Sequence, residues 1–270
     1  MDMEILGYIG AILMGLSLGL IGGGGSILTV PILVYLFSVD TVLATAYSLF
    51  IVGLTSLIGS FSHMRMGNIH WLTAIVFGIP SILAVYATRA FLVPALADPL
   101  FTVGDLFVSK SLGMLVLFAL LMVAAAYSMI RTPKAKANGT ADGEVAFNYP
   151  LILVEGAVVG AITGLVGAGG GFLIIPALVL LAKLPMKQAV GTSLIIIAAK
   201  SLIGFTGDLK GDMLIDWNFL LLFSTIAIGG IIAGSLLSKR IPNEKLKPAF
   251  GWFVLAMGIY IIVKEFSKLG

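Results

Sequence analysis

GLIGGGGSILTVPILVYL at residues 19–36 returns as GLVGAGGGFLIIPALVLL at residues 164–181, a constant offset of 145. Extended over residues 15–59 and 160–204, that offset gives 19 identities in 45 aligned positions, so the chain is a duplication. Each copy carries a glycine cluster inside an apolar run: Gly22, Gly23, Gly24 and Gly25 in the first, Gly167, Gly169, Gly170 and Gly171 in the second. A proline follows each cluster (Pro31; Pro176), then paired serines, Ser48 with Ser193 and Ser56 with Ser201. Helices interrupted by glycine at matching places in two apolar halves point to a transporter's binding site.

The surrounding chain is that of a membrane protein. Of its 270 residues 59% are hydrophobic and only 11% charged, against roughly 25% charged in a soluble domain; the mean hydropathy is +1.12. No Asp, Glu, Lys or Arg falls between Asp40 and Arg65, between Lys110 and Arg131, or between Asp216 and Lys239. Each run suffices for the roughly 20 residues with which a helix crosses a bilayer. The short alternating segments of a β-barrel are missing. MDMEILGYIG begins with acidic residues where a signal peptide has basic ones, so the first helix is expected to be retained. The absence of cysteine excludes disulfides, thiolate metal sites and cysteine nucleophiles. A net charge of +3, mostly in loops, argues against nucleic acid as a partner.

The expected fold is all-α and membrane-embedded, in two repeats of transmembrane helices, residues 1–130 and 150–270, joined by a cytoplasmic linker at 131–149. Each repeat begins with a glycine-broken hairpin, re-entrant or kinked: 5–21 with 27–37, and 151–182. Helices follow at 41–61, 71–95 and 110–130, then at 187–205, 217–237 and 246–266, with an interfacial turn expected at 94–105. Arg131, Lys134 and Lys136, and Lys239, Arg240, Lys245 and Lys247, assign their loops to the cytoplasm by the excess of basic residues there. Counting crossings from these loops gives equivalent loops of the two repeats opposite sides, so the repeats read as inverted. Lys264 and Lys268 run against the rule, and if each hairpin is instead one kinked crossing the repeats become parallel.

Backbone interrupted at membrane depth is tolerated where it is buried in protein or lines a wet cavity. A helix starting after the glycines, at Ser26 to Pro31 or Phe172 to Pro176, aims free N–H groups and a positive dipole end at that cavity. Glycines leave those groups open to a small oxyanion, and a proline early in the helix lacks an N–H that would be unpaired there anyway. Hydroxyls of Ser26, Ser48, Ser56, Thr192, Ser193 and Ser201 complete the candidate substrate shell, although a helical hydroxyl can equally bond its own backbone. Gly15/Gly19, Gly160/Gly164 and Gly230/Gly234 are read as helix-packing contacts.

Lys200, whose repeat partner is Thr55, is read as the one basic residue well inside a span. A cation there either attends an anion path or snorkels to the surface near Asp208. Glu155, His63, Arg65 and His70 are expected near the interface. The clusters lack the Lys-Ser/Thr of a phosphate-binding loop, no catalytic or metal-binding constellation of His, Asp or Glu appears, and no cofactor is expected.

The paired GLIGGGGSILTVPIL and GLVGAGGGFLIIPALVL, with AVGTSL at residues 189–194, resemble the TauE/SafE family of sulfite exporters and toluene sulfonate uptake permeases. The resemblance covers nearly the whole chain. It implies a cytoplasmic or inner membrane protein that moves sulfur-containing anions such as sulfite, sulfoacetate or other organosulfonates, often outward. The expected function is therefore secondary transport of such an anion by alternating access. An anion channel or uniporter, a membrane-embedded enzyme and a scaffold subunit are the alternatives, and a homodimer is plausible. Ser26 faces Gly171, and Tyr47-Ser48 faces Thr192-Ser193, so the two half-sites need not contribute equally.

Overall fold

The computed structural model describes residues 2–103, 106–130, 149–180, 182–209, 214–237 and 243–267. The linker at 131–148, and with it Arg131, Lys134 and Lys136, lies outside the described residues, as do Asp105, Lys239, Arg240, Lys268 and the side chains of Lys245 and Lys247.

The first half comprises α1 (Asp2–Ile21), a 3₁₀ segment (Gly23–Leu28), α2 (Thr29–Leu36), α3 (Thr41–Arg65) and α4 (Trp71–Ala87). A π turn (Thr88–Leu92), α5 (Val93–Ala95), a hairpin of β1 (Phe101–Val103) and β2 (Leu106–Val108), and α6 (Lys110–Ile130) follow. The second half holds α7 (Tyr149–Val166), α8 (Gly171–Leu180), α9 (Met186–Asp208), α10 (Trp217–Leu237) and α11 (Asn243–Phe266). Among the described residues, six helical segments are long and apolar enough to cross a membrane: Met3–Ile21, Thr41–Arg65, Trp71–Ala95, Lys110–Tyr127, Met186–Asp208 and Trp217–Leu237. The all-helical expectation holds apart from the connection after α5. There, antiparallel strands of three residues each set Phe101 opposite Val108 and Val103 opposite Leu106.

Local chemistry sets the helix boundaries. Gly22, at φ 80° and ψ −130°, adopts a conformation open to a residue without a Cβ and ends α1. Asp40 caps α3 by accepting from the amides of Val42 (2.9 Å) and Leu43 (3.3 Å). The helix after Trp71 widens into its π turn just ahead of Pro94, which lacks the N–H that would continue the ladder.

Close glycine contacts fix the helix directions. Phe37 packs on Gly7, Ile32 on Gly10, and Gly25 on the stretch Met14 to Leu18, so α2 turns back along α1. Gly53 meets Leu202, Gly204 meets Leu49, and Gly59 meets Leu194, so α3 and α9 run antiparallel. Gly15 and Gly19 sit on the backbone of α10 at Ala227 and Ile231, with Gly230 and Gly234 facing them near Leu16. Gly156, Gly160 and Gly164 do the same along α4 at Phe77, Ser81 and Thr88. Thus α1 runs parallel to α10 and α7 parallel to α4, and the 145-residue offset interchanges the two pairs. These small residues admit the close backbone approach typical of helix contacts in membranes.

The bundle has two chemically distinct ends. At one, Tyr35 at the end of α2 donates to Glu265 near the end of α11 (3.0 Å), and Asp216 before α10 donates its amide to Tyr47 on α3 (2.7 Å). Exposed Asp40, Asp98 and Asp216 belong to this end. Lys264 is here too, with Nζ 4.3 Å from the Tyr35 ring centroid and 5.5 Å from that of Tyr260. At the other end, His70 before α4 donates its amide to Thr192 on α9 (2.9 Å), and exposed Arg65, Lys183 and Lys187 lie around it. Large apolar side chains such as Leu13, Leu83, Leu236 and Trp252 are more than half exposed on the flanks, where lipid chains are their natural solvent.

Candidate functional site

Residues 22–30 and 166–172, which contain both glycine clusters, are buried throughout. Gly23 and Gly171 lie backbone against backbone, so a Cβ on either would overlap the other's Cα. Gly22 packs on Val190, and Gly167 packs on Thr45; both glycines and both partners are related by the same 145-residue offset. Gly169 meets Val52 and Ile197, and Gly171 also meets Ile197. The positive φ angles of Gly167 (72°), Gly169 (62°) and Gly170 (71°) make the second turn accessible only to residues free of a Cβ penalty.

Beside the turns, α3 presents Thr45, Ser48, Val52 and Ser56 at helical spacing, and α9 presents Val190, Ser193, Ile197 and Ser201 at the same intervals. The start of α8 is Gly171, as expected of a helix that begins at the glycines. In the first half a 3₁₀ segment intervenes and α2 begins only at Thr29. Pro176 is the sixth residue of α8, beyond the first turn anticipated for it.

The predicted hydroxyls divide into two sets. Ser26 donates to the Gly23 carbonyl (2.7 Å) and Ser193 to the Val190 carbonyl (2.8 Å), while Thr192 accepts from His70; these three have protein partners. Ser48, Ser56 and Ser201 are fully buried, and their hydroxyls have no hydrogen-bond partner among the described residues. Leaving a buried hydroxyl unpaired costs about 1–3 kcal/mol, so such groups invite a ligand or water.

Lys200 does not snorkel. Its side chain is fully buried, Nζ donates to Thr163 Oγ1 at 2.8 Å, and a Cβ on Gly170 would come within 2.6 Å of Nζ. The second turn therefore carries a cation at its edge that the first lacks, Thr55 bonding instead to the carbonyl of Ile51 (2.6 Å).

Lys200 is also not the one basic residue inside a span, as the sequence reading had it. Arg89, in the π turn, is fully buried and forks onto Asp208: Nε to Oδ2 at 2.8 Å and Nη2 to Oδ1 at 2.7 Å. Nη1 donates to Thr45 Oγ1 (2.9 Å) and to the Gly164 carbonyl (3.3 Å). A signal was available, because Arg89 is the only charge between Arg65 and Asp98; its partner, 119 residues away, was not. His63, expected at the interface, is buried at the end of α3, with Cβ 3.1 Å from where a Cβ of Gly191 would lie. Among the described residues no group of three or more His, Cys, Asp or Glu is placed to hold a metal ion.

Two apolar grooves, of about 560 and 590 Å³, are lined by none of the glycines of the turns. One is flanked by α1, the 3₁₀ segment at Leu28, α2 and α11 and the other by Leu92 and Leu96 on either side of α5, by α6 and by the ends of α7 and α11; both are walled almost wholly by aliphatic and aromatic side chains. Their chemistry suits acyl chains rather than an anion.

These features define a helical, multi-pass membrane protein with two repeat-related glycine turns packed together in its interior. The chain belongs to the sulfite exporter TauE/SafE family, whose model matches residues 8–261. It is 30% identical over 95% of its length to a probable membrane transporter protein of Xylella fastidiosa, of which it covers 94%. It is also 28% identical to one of Methanocaldococcus jannaschii (93% of this chain, 94% of that one). The identity to one of Bacillus subtilis is 27% (88% and 91%). No solved structure matches it. The family description and the relatives' names both point to a membrane transporter.

Proposed function

We propose that the protein is a secondary transporter of small sulfur-containing anions, such as sulfite or an organosulfonate, bound where the two glycine turns meet. The observation that carries this reading is the position of Lys200 Nζ at the edge of the Gly169-Gly170-Gly171 turn, with partnerless Ser201 next to it in the same helix. Backbone amides freed at the turns, the Ser48, Ser56 and Ser201 hydroxyls and the Lys200 ammonium replace the hydration an oxyanion loses. Gly22 to Gly25 and Ser26 form the opposing half-site. The sulfur chemistry and the outward direction follow the family's description, sulfite exporter.

Transport in this reading is alternating access in two inverted repeats, divided at the 131–149 linker. The antiparallel run of α3 and α9, which are repeat equivalents, supports inversion, since a parallel duplication would set them parallel. The return of α2 along α1 supports a re-entrant hairpin in place of a kinked crossing. The exposed basic residues Arg65, Lys183 and Lys187 favour a cytoplasmic position for their end of the bundle, which supports reading the membrane as the cytoplasmic one.

The test is thermal stabilisation of the detergent-purified protein by sulfite, thiosulfate, sulfoacetate and taurine, with acetate as control, followed by uptake into proteoliposomes. A concentration-dependent shift with a sulfur oxyanion, lost in Gly169→Val, supports the site. Equal shifts with acetate, or none with any anion, overturn it.

A further inference from the structure

Thr45, Arg89, Gly164 and Asp208 join α3, the π turn after α4, α7 and α9 through a single guanidinium. These are the elements that would have to separate for the second glycine turn to open toward the acidic end of the bundle. Thr45 is also the residue against which Gly167 of that turn packs. The repeat-related positions at the basic end carry none of this chemistry: Val190 stands for Thr45, Gly234 for Arg89, Gly19 for Gly164 and His63 for Asp208. Gly234 packs directly on the Leu16 backbone instead. One end of a duplicated fold is thus fastened by a buried charge pair and its counterpart by backbone packing.

A buried ion pair adds little stability over apolar side chains of the same volume, whereas removing one partner is strongly destabilising. Its distinctive property is replaceability. The guanidinium holds the Asp208 carboxylate by a hydrogen bond from Nε and an ion contact from Nη2, and the same edge is suited to a sulfonate, sulfite or phosphate oxyanion. We propose that the Arg89–Asp208 pair is the gate at the acidic end, in which Asp208 occupies on Arg89 the place of the transported anion until an anion displaces it. Arg89 is then a second binding station, outside the Lys200 site by about two turns of α9. The displaced Asp208 frees α9 from the π turn, and the anion leaves Arg89 as the carboxylate returns.

The proposal rests on the anion-transporter reading, and its experiment separates the two. Because the chain has no cysteine, Leu49→Cys, one turn inward from Thr45, fully buried and facing Gly204 of α9, gives a single reporter outside the binding shell. It is labelled with a membrane-impermeant thiol reagent applied at either face of proteoliposomes. Backgrounds are the native pair, Asp208→Asn, and the neutral pair Arg89→Gln with Asp208→Asn, which leaves no lone buried charge if the single variant fails to fold. Sulfoacetate is the probe anion, since sulfite itself attacks thiol reagents. The gate predicts labelling from one face at least about tenfold faster in the variants, the scale of one charged hydrogen bond. It also predicts acceleration by sulfoacetate with the native pair but not with the neutral one. Equal labelling rates in all monodisperse backgrounds, unmoved by sulfoacetate, overturn it. Faster variant labelling without sulfoacetate transport or effect leaves the pair as a latch, and overturns both the displacement step and the sulfonate reading; transport with unchanged labelling overturns the gate alone.

Discussion

Gly23 and Gly171 touch through their backbones, one from each half of the duplicated chain. This contact brings the two turns together, and it leaves no room for a methyl group on either residue. Gly23→Ala and Gly171→Ala are each expected to destabilise the protein by about 1–3 kcal/mol or more, the range of overpacking in a close-packed interior. Gly229→Ala is the control: nothing lies within 4 Å of its added Cβ. It replaces a helical glycine and should hold or raise the melting temperature, by up to about 1 kcal/mol of stability. Melting in detergent, followed by tryptophan fluorescence, checks all three. Equal melting of Gly23→Ala and the native protein would remove the contact.

Tyr47 and Thr192, related by the duplication, each accept the amide just ahead of a following helix, those of Asp216 and His70. Tyr47→Phe and Thr192→Val should each cost about 1 kcal/mol, the usual loss for a hydrogen bond at a helix start. Similar falls in melting temperature are expected because the two bonds are structural equivalents at opposite ends. An effect confined to one variant would show that the equivalence does not extend to energetics.

Replacing Lys200 separates fold from binding. Lys200→Met removes a buried charge for an apolar chain of similar length, a change that is often neutral or stabilising. The ligand-free melting temperature should therefore hold or rise, while stabilisation by sulfite or sulfoacetate disappears. A full anion-dependent shift in Lys200→Met would place binding elsewhere.

Topology is open to the same cysteine-free background. Glu4→Cys and Ser38→Cys flank α1 and α2 at exposed positions. A returning hairpin makes both reactive from one face, opposite to that of Lys183→Cys. A kinked crossing would put Glu4→Cys and Ser38→Cys on opposite faces, and labelling of intact cells with an impermeant reagent distinguishes the two.

Much of this was legible beforehand because membrane constraints act locally. Apolar runs of span length, the 145-residue repeat and the consecutive glycines announced a helical membrane protein with interrupted helices before any contact was known. The helix extents follow, with shifts such as the extension of α9 to Asp208, set by capping and side-chain burial. Lys200 stood out for the same reason: one charge in an apolar run is visible by inspection.

Pairing across the bundle was not legible. Ser193 and Ser48 are equivalent in sequence, yet Ser193 bonds its own helix and Ser48 has no partner, because a hydroxyl's choice depends on rotamer and neighbours. Arg89 read as one charge in a long apolar segment until the packing of α4 against α9 set Asp208 beside it. Local pattern was enough to establish the solvent this protein lives in, its duplication and the places where its helices break, since hydrophobic length and glycine content act on a few consecutive residues. It took the packing of the helices to show that the breaks meet back to back, which hydroxyls remain unpaired and at which end of the bundle the buried charge pair lies. Those are relations between atoms more than a hundred residues apart, and they exist only once the helices have packed.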